Sequence, residues 1–534
     1  MTPSDRSRTV TALWALAGVA AALYYFGWLL SADRVGLPVL FGLLVAADLF
    51  NGFHAFSFWA TCLRSPKRRP SALPLDPYVD VLIPTYNEPV DVLEPTVRGA
   101  LAMTGARLRV LVLDDGDRIE VARMAHRLGA LYVARSRHAG AKAGNVNHAL
   151  RVSEPDGAPF VCVFDSDHAP YPEFLERTLG LFVDPEVGLV QTPQVYANAG
   201  QGALTAASAE QQAIFFGPIC NGRDGFNSSF CCGTNFVARR EALTRAGGFP
   251  EDSITEDIVL STTLVGLGYE IAYVGEALSA GLGPEDSHSY VAQQTRWATG
   301  CLELLFRRPS LWKPLSWTQR WQYFAATSYW LTGWTILVYV SLPVVHLLFG
   351  WRPVEDSAGV FAVHFLPYFL LSVLNLSRFT GGGYSLRGLA LNWGSFHVHV
   401  RSTLRVLIGQ RIAFAVTPKH AVAGRAWRGL GLNLVVVAIL IGSCLYGIAG
   451  GLDAATFNNV TFALLDAALV AGIVTFASSQ ARHAKTAPAA QGAEPSISPL
   501  IGGPAAALGV AGAARVDGRS EVAAAETEVG ATPS

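Results

Sequence analysis

Charged residues are scarce in this chain of 534 residues. Only 15% of the residues are charged, whereas 51% are hydrophobic and the mean hydropathy is +0.32. This composition excludes a purely soluble protein and is typical of an integral membrane protein. The 40 Lys and Arg residues nearly balance the 41 Asp and Glu residues. Because no global positive field results, we expect no nucleic-acid partner.

Cysteine patterns that bind zinc or build a disulfide framework are also missing. The seven cysteines are irregularly spaced, Cys231 and Cys232 are adjacent, and no C-x-x-C pair occurs. This spacing argues against a zinc site and against a disulfide framework. We therefore expect reduced thiols that face the cytoplasm or are buried in helices.

Long apolar runs occur six times, and each predicts a membrane-spanning helix, because about 20 apolar residues cross a hydrocarbon core of roughly 30 Å. The predicted spans are 11–30, 37–60, 325–349, 360–376, 430–448 and 460–477. A cleavable signal peptide is the alternative explanation of the first run. That run is too long for a signal peptide, and a second run follows closely.

Basic residues are concentrated in two segments next to the predicted spans. RSPKRRP follows the second span, and the basic stretch between the fourth and fifth spans contains no Asp or Glu. The positive-inside rule places both segments in the cytoplasm. We therefore predict a multi-pass protein of the inner cell membrane, with the soluble region and both termini cytoplasmic. Within 381–420, mixed basic and apolar residues predict an interfacial helix.

Changes in composition divide the chain into four predicted regions. Residues 1–62 hold two membrane-spanning helices, and 75–310 alternate strand-like and helix-like segments, which predicts a soluble α/β domain. Residues 311–480 return to membrane helices. The Ala-, Gly-, Pro- and Ser-rich stretch 481–534 predicts a disordered tail.

Carboxylates follow two strand-like runs of the soluble region. Asp114 and Asp115 end LRVLVLDD, and Asp165 and Asp167 end VCVFDSD. Because strand ends in an open α/β sheet converge on one ligand site, we expect these residues to meet. Carboxylates one residue apart suit Mg²⁺ or Mn²⁺ shared with substrate phosphates. For a single pair, an Asx-turn or a helix N-cap is the alternative.

Later motifs add groups that can handle a phosphorylated sugar. Lys142 lies in a Gly/Ala-rich turn suited to phosphate oxygens, although such glycines also serve as simple turn residues. In TED, Thr255, Glu256 and Asp257 precede a helical pattern, so Asp257 is a candidate general base, and a capping motif is the alternative.

The segment QQTRWATG, residues 293–300, combines an amide, a guanidinium and an indole. Arg296 can clamp a diphosphate beside Gln293, and Trp297 offers a flat apolar face for a sugar ring. An amphipathic helix that packs its Trp at the membrane interface is the alternative.

In their order and spacing, these motifs resemble the processive family 2 glycosyltransferases, most closely the catalytic subunit of bacterial cellulose synthases. The sequence FAVTPK at 414–419 is similar to the family's F-x-V-T-x-K gating loop. The resemblance implies an α/β GT-A domain inserted in a polytopic α-helical membrane domain. It also implies inverting transfer from a UDP-α-sugar and a channel for the polymer.

The same resemblance implies a role for each site residue. Asp167 would bind Mg²⁺ or Mn²⁺, Asp257 would be the base beside Thr255 and Glu256, and Trp297 and Cys232 would contact the acceptor. The implied donor-binding residues are Glu88, Asp114, Asp115, Lys142, Asp165, Gln293 and Arg296. The implied lid over the bound donor consists of Phe414, Val416, Thr417 and Lys419.

The expected partners are UDP-glucose, the growing β-glucan chain and membrane lipid, and a periplasmic accessory subunit is compatible with this set. Family members that are regulated by cyclic-di-GMP carry a PilZ domain after the last helices, whereas only the predicted disordered tail follows here, so we expect no direct binding of cyclic-di-GMP. Gln294, Thr295 and Asn235 depart from the usual family residues near the acceptor. These departures leave the sugar and the linkage open.

The favoured function is a processive β-glucan synthase that makes cellulose and moves it across the membrane. The enzyme alternatives are synthesis of a mixed-linkage glucan, a β-1,3-glucan or a mannan, or transfer to a lipid. A non-catalytic scaffold or transporter is the third class. Asp48 and Asp466 fall inside predicted spans, where carboxylates are costly and often functional, and their role stays open.

Overall fold

The computed structural model describes residues 3–67, 69–72, 76–154, 156–380, 386–410 and 429–486. The chain begins with two apolar helices, α1 (Pro3–Leu29) and α2 (Pro38–Leu63). Within the described residues, six helical segments are long and apolar enough to cross a membrane, which confirms the six predicted spans. These segments are Thr9–Leu29, Pro38–Leu63, Trp317–Phe349, Ala358–Phe379, Gly431–Ala449 and Ala454–Ser479.

A mixed β-sheet organises the region between the second and third spans. Its strands are rich in Val, Ile and Leu, as expected for strands buried on both faces. The strands, in chain order, are β1 (Tyr78–Thr85), β2 (Arg107–Asp114), β3 (Leu131–Ala134), β4 (Phe160–Val163), β5 (His168–Pro170), β6 (Val187–Gln191), β7 (Phe236–Arg239), β8 (Glu270–Tyr273) and β9 (Ser279–Gly281). The spatial order is β3-β2-β1-β4-β7-β6-β8, and β5 pairs with β9 in a separate two-stranded sheet.

Strand direction divides the larger sheet into two parts. Strands β1 to β4 run parallel to one another, whereas β7 is antiparallel to both β4 and β6. Helices cover both faces, and successive strand residues such as Val81 and Leu82 belong to different hydrophobic cores because their side chains alternate. The helices of this region are α3 (Val90–Leu101), α4 (Ile119–Leu128), α5 (Ala141–Val152), α6 (Phe174–Thr178), α7 (Ala203–Ile214), α8 (Cys220–Gly225), α9 (Arg240–Arg245) and α10 (Glu256–Gly266).

A long helix, α11 (Ser287–Arg307), links the sheet region to the second group of membrane helices. Of the segment predicted as an interfacial helix, the structure describes residues 386–410, and this part contains the two helices Leu386–Gly394 and Phe396–Ile408. The helices are α12 (Trp317–Ser328), α13 (Thr332–Phe349), α14 (Ala358–Phe379), α15 (Leu386–Gly394), α16 (Phe396–Ile408), α17 (Gly431–Ala449) and α18 (Ala454–Thr486).

The predicted tail boundary at residue 481 is too early, because α18 continues to Thr486. The Ala-containing sequence there favours continuation of the helix. The rest of the predicted tail lies outside the described residues. The Rossmann-like mixed sheet with its added apolar helices confirms the expected GT-A fold class.

Candidate active site

A cavity of about 540 Å³ opens where several strands of the sheet end. Its wall includes Thr85 at the end of β1, Asp115 just after β2 and Asp165 shortly after β4. The first residues of α10 and one face of α11 close the opposite side. A ligand site at the carboxyl ends of the strands is what the sheet topology predicts.

Three side chains in this cavity form a candidate metal site. Asp165, Asp167 and His168 each offer a ligand atom, and these atoms lie within 4.8 Å of one another. The Asp167 side chain is only 1% exposed, and Asp167 Oδ1 lies 3.4 Å from His168 Nδ1. Two carboxylates and an imidazole suit Mg²⁺ or Mn²⁺, so the donor set fits the expected ion class.

His168 is the ligand candidate that sequence reasoning missed. It begins β5, which pairs with β9, and its Nε2 atom is buried without a hydrogen-bond partner in the described residues. A Cβ at Gly281 would lie 2.4 Å from that atom, so only a glycine leaves room for the ring. The sequence did contain a signal for this ligand, because His168 directly follows the second aspartate in DSDH.

Lys142, in the first turn of α5, neutralises part of the acidic cluster. Its ammonium donates to Asp165 and to the carbonyl oxygen of Gly233 at 2.7 Å. Burial lowers the pKa of Lys142, but the nearby carboxylates outweigh burial and raise it. Burial raises the pKa of Asp165, but Lys142 and His168 outweigh burial and lower it. Both groups therefore stay charged, ready for a cation and for phosphate oxygens.

Asp257, in the first turn of α10, has the properties of a general base. Burial, and then the charge of Glu256, raise its pKa to about 7. The Ile258 amide donates to Asp257 Oδ1 at 2.8 Å, whereas Oδ2 faces the loop at Gly233. Gly233 has a φ of +82°, a conformation that favours glycine. A carboxylate that titrates near neutral pH is well suited to accept a proton.

The face of α11 brings a cation, an amide and an indole to the same cavity. Gln293, Arg296 and Trp297 all line it, as predicted from the sequence. Asp286 caps the helix by accepting a hydrogen bond from the Ser289 amide at 2.7 Å.

Close packing between helices fixes the position of α11 against the start of α10. A Cβ at Gly300 would lie 2.2 Å from Thr255 Cγ2, so the two helices meet at van der Waals distance. Thr255 Oγ1 is buried there and has no hydrogen-bond partner within the described part of the chain. Gly300 therefore holds Thr255, and with it Glu256 and Asp257, next to α11.

Glu88 and Asp115 occupy the part of the cavity next to β1 and β2. Glu88 Oε2 accepts hydrogen bonds from Thr85 Oγ1 and from the Tyr86 amide, both at 2.8 Å. Asp115 pairs with Arg135, whose Nε and Nη2 atoms lie 2.5 and 2.7 Å from its two oxygens. Arg135 was missed, because no sequence pattern links it to the end of β2.

Asp114 does not line the cavity. It is fully buried, and Arg118, the Gly116 amide and the Tyr132 hydroxyl all donate to its carboxylate. Asp114 is the last residue of β2 and is fully buried, whereas Asp115 follows the strand and lines the cavity. A direct part for Asp114 in donor binding stays a prediction.

The two residues that the resemblance assigns to the acceptor, Cys232 and Trp297, both line the cavity. Cys232 lines the cavity, and its amide donates to Gln191 Oε1 at 2.7 Å. Asn235 and Gln294 are buried and do not line the cavity. Gln194 and Tyr196, which follow β6, line it but were not predicted. The gating loop at 414–419 lies outside the described residues.

Comparisons with known proteins identify relatives of this chain. Residues 160–376 match the family described as glycosyl transferase family group 2. A putative cellulose synthase 2 of Komagataeibacter xylinus is 32% identical over 469 residues, which is 83% of this chain and 30% of that protein. The UDP-forming cellulose synthase catalytic subunit of Pseudomonas fluorescens (strain SBW25) is 33% identical over 380 residues, 68% of this chain and 51% of that protein.

Among solved structures, the mannosyltransferase PcManGT of Pyrobaculum calidifontis, in complex with GDP-Man and Mn²⁺, aligns with a TM-score of 0.48 at 19% identity. The alignment covers 70% of this chain and all of that one. The chain spans about half or less of the length of these two cellulose synthase relatives. It carries a family 2 glycosyltransferase domain and has homologues named as cellulose synthases over most of its length.

Proposed function

We propose that the chain is a processive, inverting glycosyltransferase that polymerises UDP-glucose into a β-1,4-glucan. The observation that carries this proposal is the meeting of Asp257, the Asp165–Asp167–His168 cluster and Arg296 in one cavity. A base, a cation site and a fixed positive charge are the groups that transfer from a nucleotide sugar requires.

The donor diphosphate would lie between the acidic cluster and α11. Asp167, with Asp165 and His168, would hold Mg²⁺ or Mn²⁺, which when bound supplies positive charge for the leaving diphosphate. Arg296 and Gln293 would bind the diphosphate oxygens from the opposite wall, and Lys142 would add a second fixed cation.

Asp257 would accept the proton of the acceptor hydroxyl. The hydroxyl oxygen forms a bond to the anomeric carbon, the bond from that carbon to the diphosphate breaks, and UDP leaves with the electron pair. Trp297 would stack under the terminal acceptor sugar, next to Cys232. Attack from the face opposite the leaving group inverts the α-linkage of the donor to a β-linkage.

The six apolar helices support a second part of the proposal, in which the polymer passes through the helical bundle. The basic residues after Leu63 support a cytoplasmic catalytic domain in the inner membrane. Thr417 and Lys419 are proposed to close over the bound donor and exclude water.

The test uses inverted membrane vesicles that contain the full chain, supplied in turn with radiolabelled UDP-glucose, UDP-GlcNAc and GDP-mannose, plus Mg²⁺ or Mn²⁺. We expect insoluble label from UDP-glucose alone, released only by a β-1,4-endoglucanase. Product released by lichenase or β-1,3-glucanase would keep the chemistry but overturn the linkage. No insoluble label from any donor would contradict the proposal.

A further inference from the structure

A second cavity, also about 540 Å³, lies at the junction of the second membrane helix and the sheet region. It is lined by residues 63–67 together with Gly225 and Asn227. The candidate span of α2 ends at Leu63, and the next span begins at Trp317. Trp321 Nε1 donates to Ser57 Oγ at 2.9 Å, so these two span ends lie side by side. The cavity therefore opens at the level where the hydrocarbon core meets water.

The side chains around this opening are those of a membrane interface. Trp317 is 82% exposed, and Phe56 and Phe324 also present apolar rings to the outside. The rings of Phe226 and Trp321 pack with their centroids 5.6 Å apart. Aromatic residues collect at the headgroup level of bilayers, where one side is apolar and the other is wet. Acyl chains thus have an apolar surface directly next to the cavity.

Arg64 supplies unneutralised positive charge in the cavity. Its Nε atom donates to the Gly225 carbonyl at 3.0 Å, and its guanidinium carbon lies 5.4 Å from the centroid of the Phe226 ring. Its two terminal nitrogens have no hydrogen bond or ion pair within the described residues. These contacts fix the side chain while leaving a pair of parallel donors, which is the geometry that binds phosphate.

The neighbouring cations are already engaged. Lys67 Nζ contacts both carboxylate oxygens of Glu270, and Arg69 pairs with Asp224 at 2.7 Å. These pairs join the segment after α2 to the sheet region, so they do not compete with Arg64 for an anion. Arg68 lies outside the described residues.

We propose that this cavity binds the phosphate of an anionic phospholipid such as phosphatidylglycerol. The phosphate accepts hydrogen bonds from the terminal nitrogens of Arg64, and the acyl chains lie against the aromatic surface. A basic side chain at the end of a membrane span attracts anionic lipid. This site is separate from the glycosyltransferase cavity and does not rest on the proposed reaction.

The test is native mass spectrometry of the full chain, which counts the lipids retained after exchange from detergent containing phosphatidylglycerol or phosphatidylcholine. We expect selective retention of phosphatidylglycerol, with affinity reduced about fivefold in Arg64→Gln, the worth of one basic side chain near anionic lipid. Arg64→Lys should lose less affinity for phosphatidylglycerol than Arg64→Gln does. The matched control is Arg401→Gln, an exposed cation on α16 outside the cavity, which should retain the lipid.

Three results would overturn the proposal. Equal retention of phosphatidylcholine would remove the headgroup preference. An equal loss in Arg401→Gln would reduce the effect to general surface attraction. Displacement of the lipid by inorganic phosphate alone would assign the cavity to a free anion. Thermal unfolding of each variant, measured in parallel, separates loss of binding from loss of fold.

Discussion

At the residue scale, the proposed chemistry depends on two adjacent carboxylates in a buried place. Glu256 and Asp257 begin α10, and burial raises the pKa of both. The charge of Glu256 further raises the pKa of Asp257, to about 7. Lys142 and Arg296 oppose this effect. Glu256 thus raises the pKa of the base, and it can do so without contacting the reacting hydroxyl.

Replacing Glu256 should move the pH dependence of the reaction. Asp257 acts in its deprotonated form, so kcat/KM falls as the pH drops below the pKa of Asp257, near 7. Glu256→Gln removes the repelling charge and lowers that pKa, so the acidic limb should shift to lower pH. The measurement is a pH profile of UDP release. Glu276→Gln, at an exposed pair with Arg177, is the control and should leave the limb in place. An unmoved limb in Glu256→Gln would contradict this account.

The sequence predicted Asp165 and Asp167 because they follow a strand, Asp257 because it begins a helix, and Arg296 from the QQTRW motif. Asp165, Asp167, Asp257 and Arg296 meet in one cavity, as expected for strand ends in an open sheet. Arg135 was missed because tertiary structure brings it to Asp115, whereas His168 was missed although it directly follows Asp167 in the sequence. Asp114 lies outside the cavity lining, and its part in donor binding stays a prediction.

At the element scale, the contact between α10 and α11 sets the distance between the base and the diphosphate-binding residues. Gly300 faces Thr255, and no larger residue fits between them. Because α11 also carries Arg296 and Trp297, a displacement at this point moves one side of the site relative to the other.

Gly300→Ala should therefore reduce turnover by about 10²-fold, since a misplacement of about 1 Å is enough to do so. Overpacking should also lower the free energy of unfolding by roughly 1–3 kcal/mol. Adding Thr255→Ala to Gly300→Ala removes the clashing Cγ2 atom, so the double variant should regain part of the turnover and part of the free energy of unfolding. Gly442→Ala, where a Cβ meets nothing within 4 Å, is the matched control. Equal activity of Gly300→Ala and Gly442→Ala would refute a positioning role.

The sequence predicted the long elements well but led to no prediction of strand direction. All six membrane spans follow from hydropathy, since a span needs only a sufficient apolar length. The antiparallel β7 between β4 and β6 has no comparable local signal, because pairing direction is decided by distant partners. The extension of α18 to Thr486 was missed because the composition there is shared by helices and disordered tails.

At the scale of the whole molecule, buried charges join the membrane helices to the sheet region. Arg69 and Asp224 are 2% and 1% exposed, and Glu270 accepts from Lys67 beside them. Asp224 also accepts from the amides of Lys67 and Tyr273. This cluster fixes the segment after α2 on the sheet region.

Asp224→Ala should destabilise the protein by about 3–5 kcal/mol, because it leaves the buried Arg69 with only a longer contact of 3.5 Å to Glu270. The measurement is thermal unfolding in detergent. Asp252→Ala breaks an exposed pair with Arg308 and should cost under about 1 kcal/mol. Similar losses in the two variants would show that the buried pair does not hold the junction.

One intramembrane carboxylate also has a structural explanation at this scale. Asp48 in α2 accepts hydrogen bonds from Tyr25 in α1 and Tyr339 in α13, each at 2.6 Å. Asn51 donates to the Tyr339 hydroxyl at 2.8 Å. A satisfied carboxylate that joins three helices needs no transport role to account for its place in the span.

The most direct test of the central claim is the rate of β-glucan synthesis from UDP-glucose by Asp257→Asn, measured beside the wild type in the same vesicles. Asparagine keeps the size of the side chain but cannot accept the acceptor proton, so we predict a loss of about 10²–10⁴-fold. The controls are equal amounts of folded protein and unchanged binding of UDP. An Asp257→Asn variant that synthesises polymer at the wild-type rate would contradict Asp257 as the base.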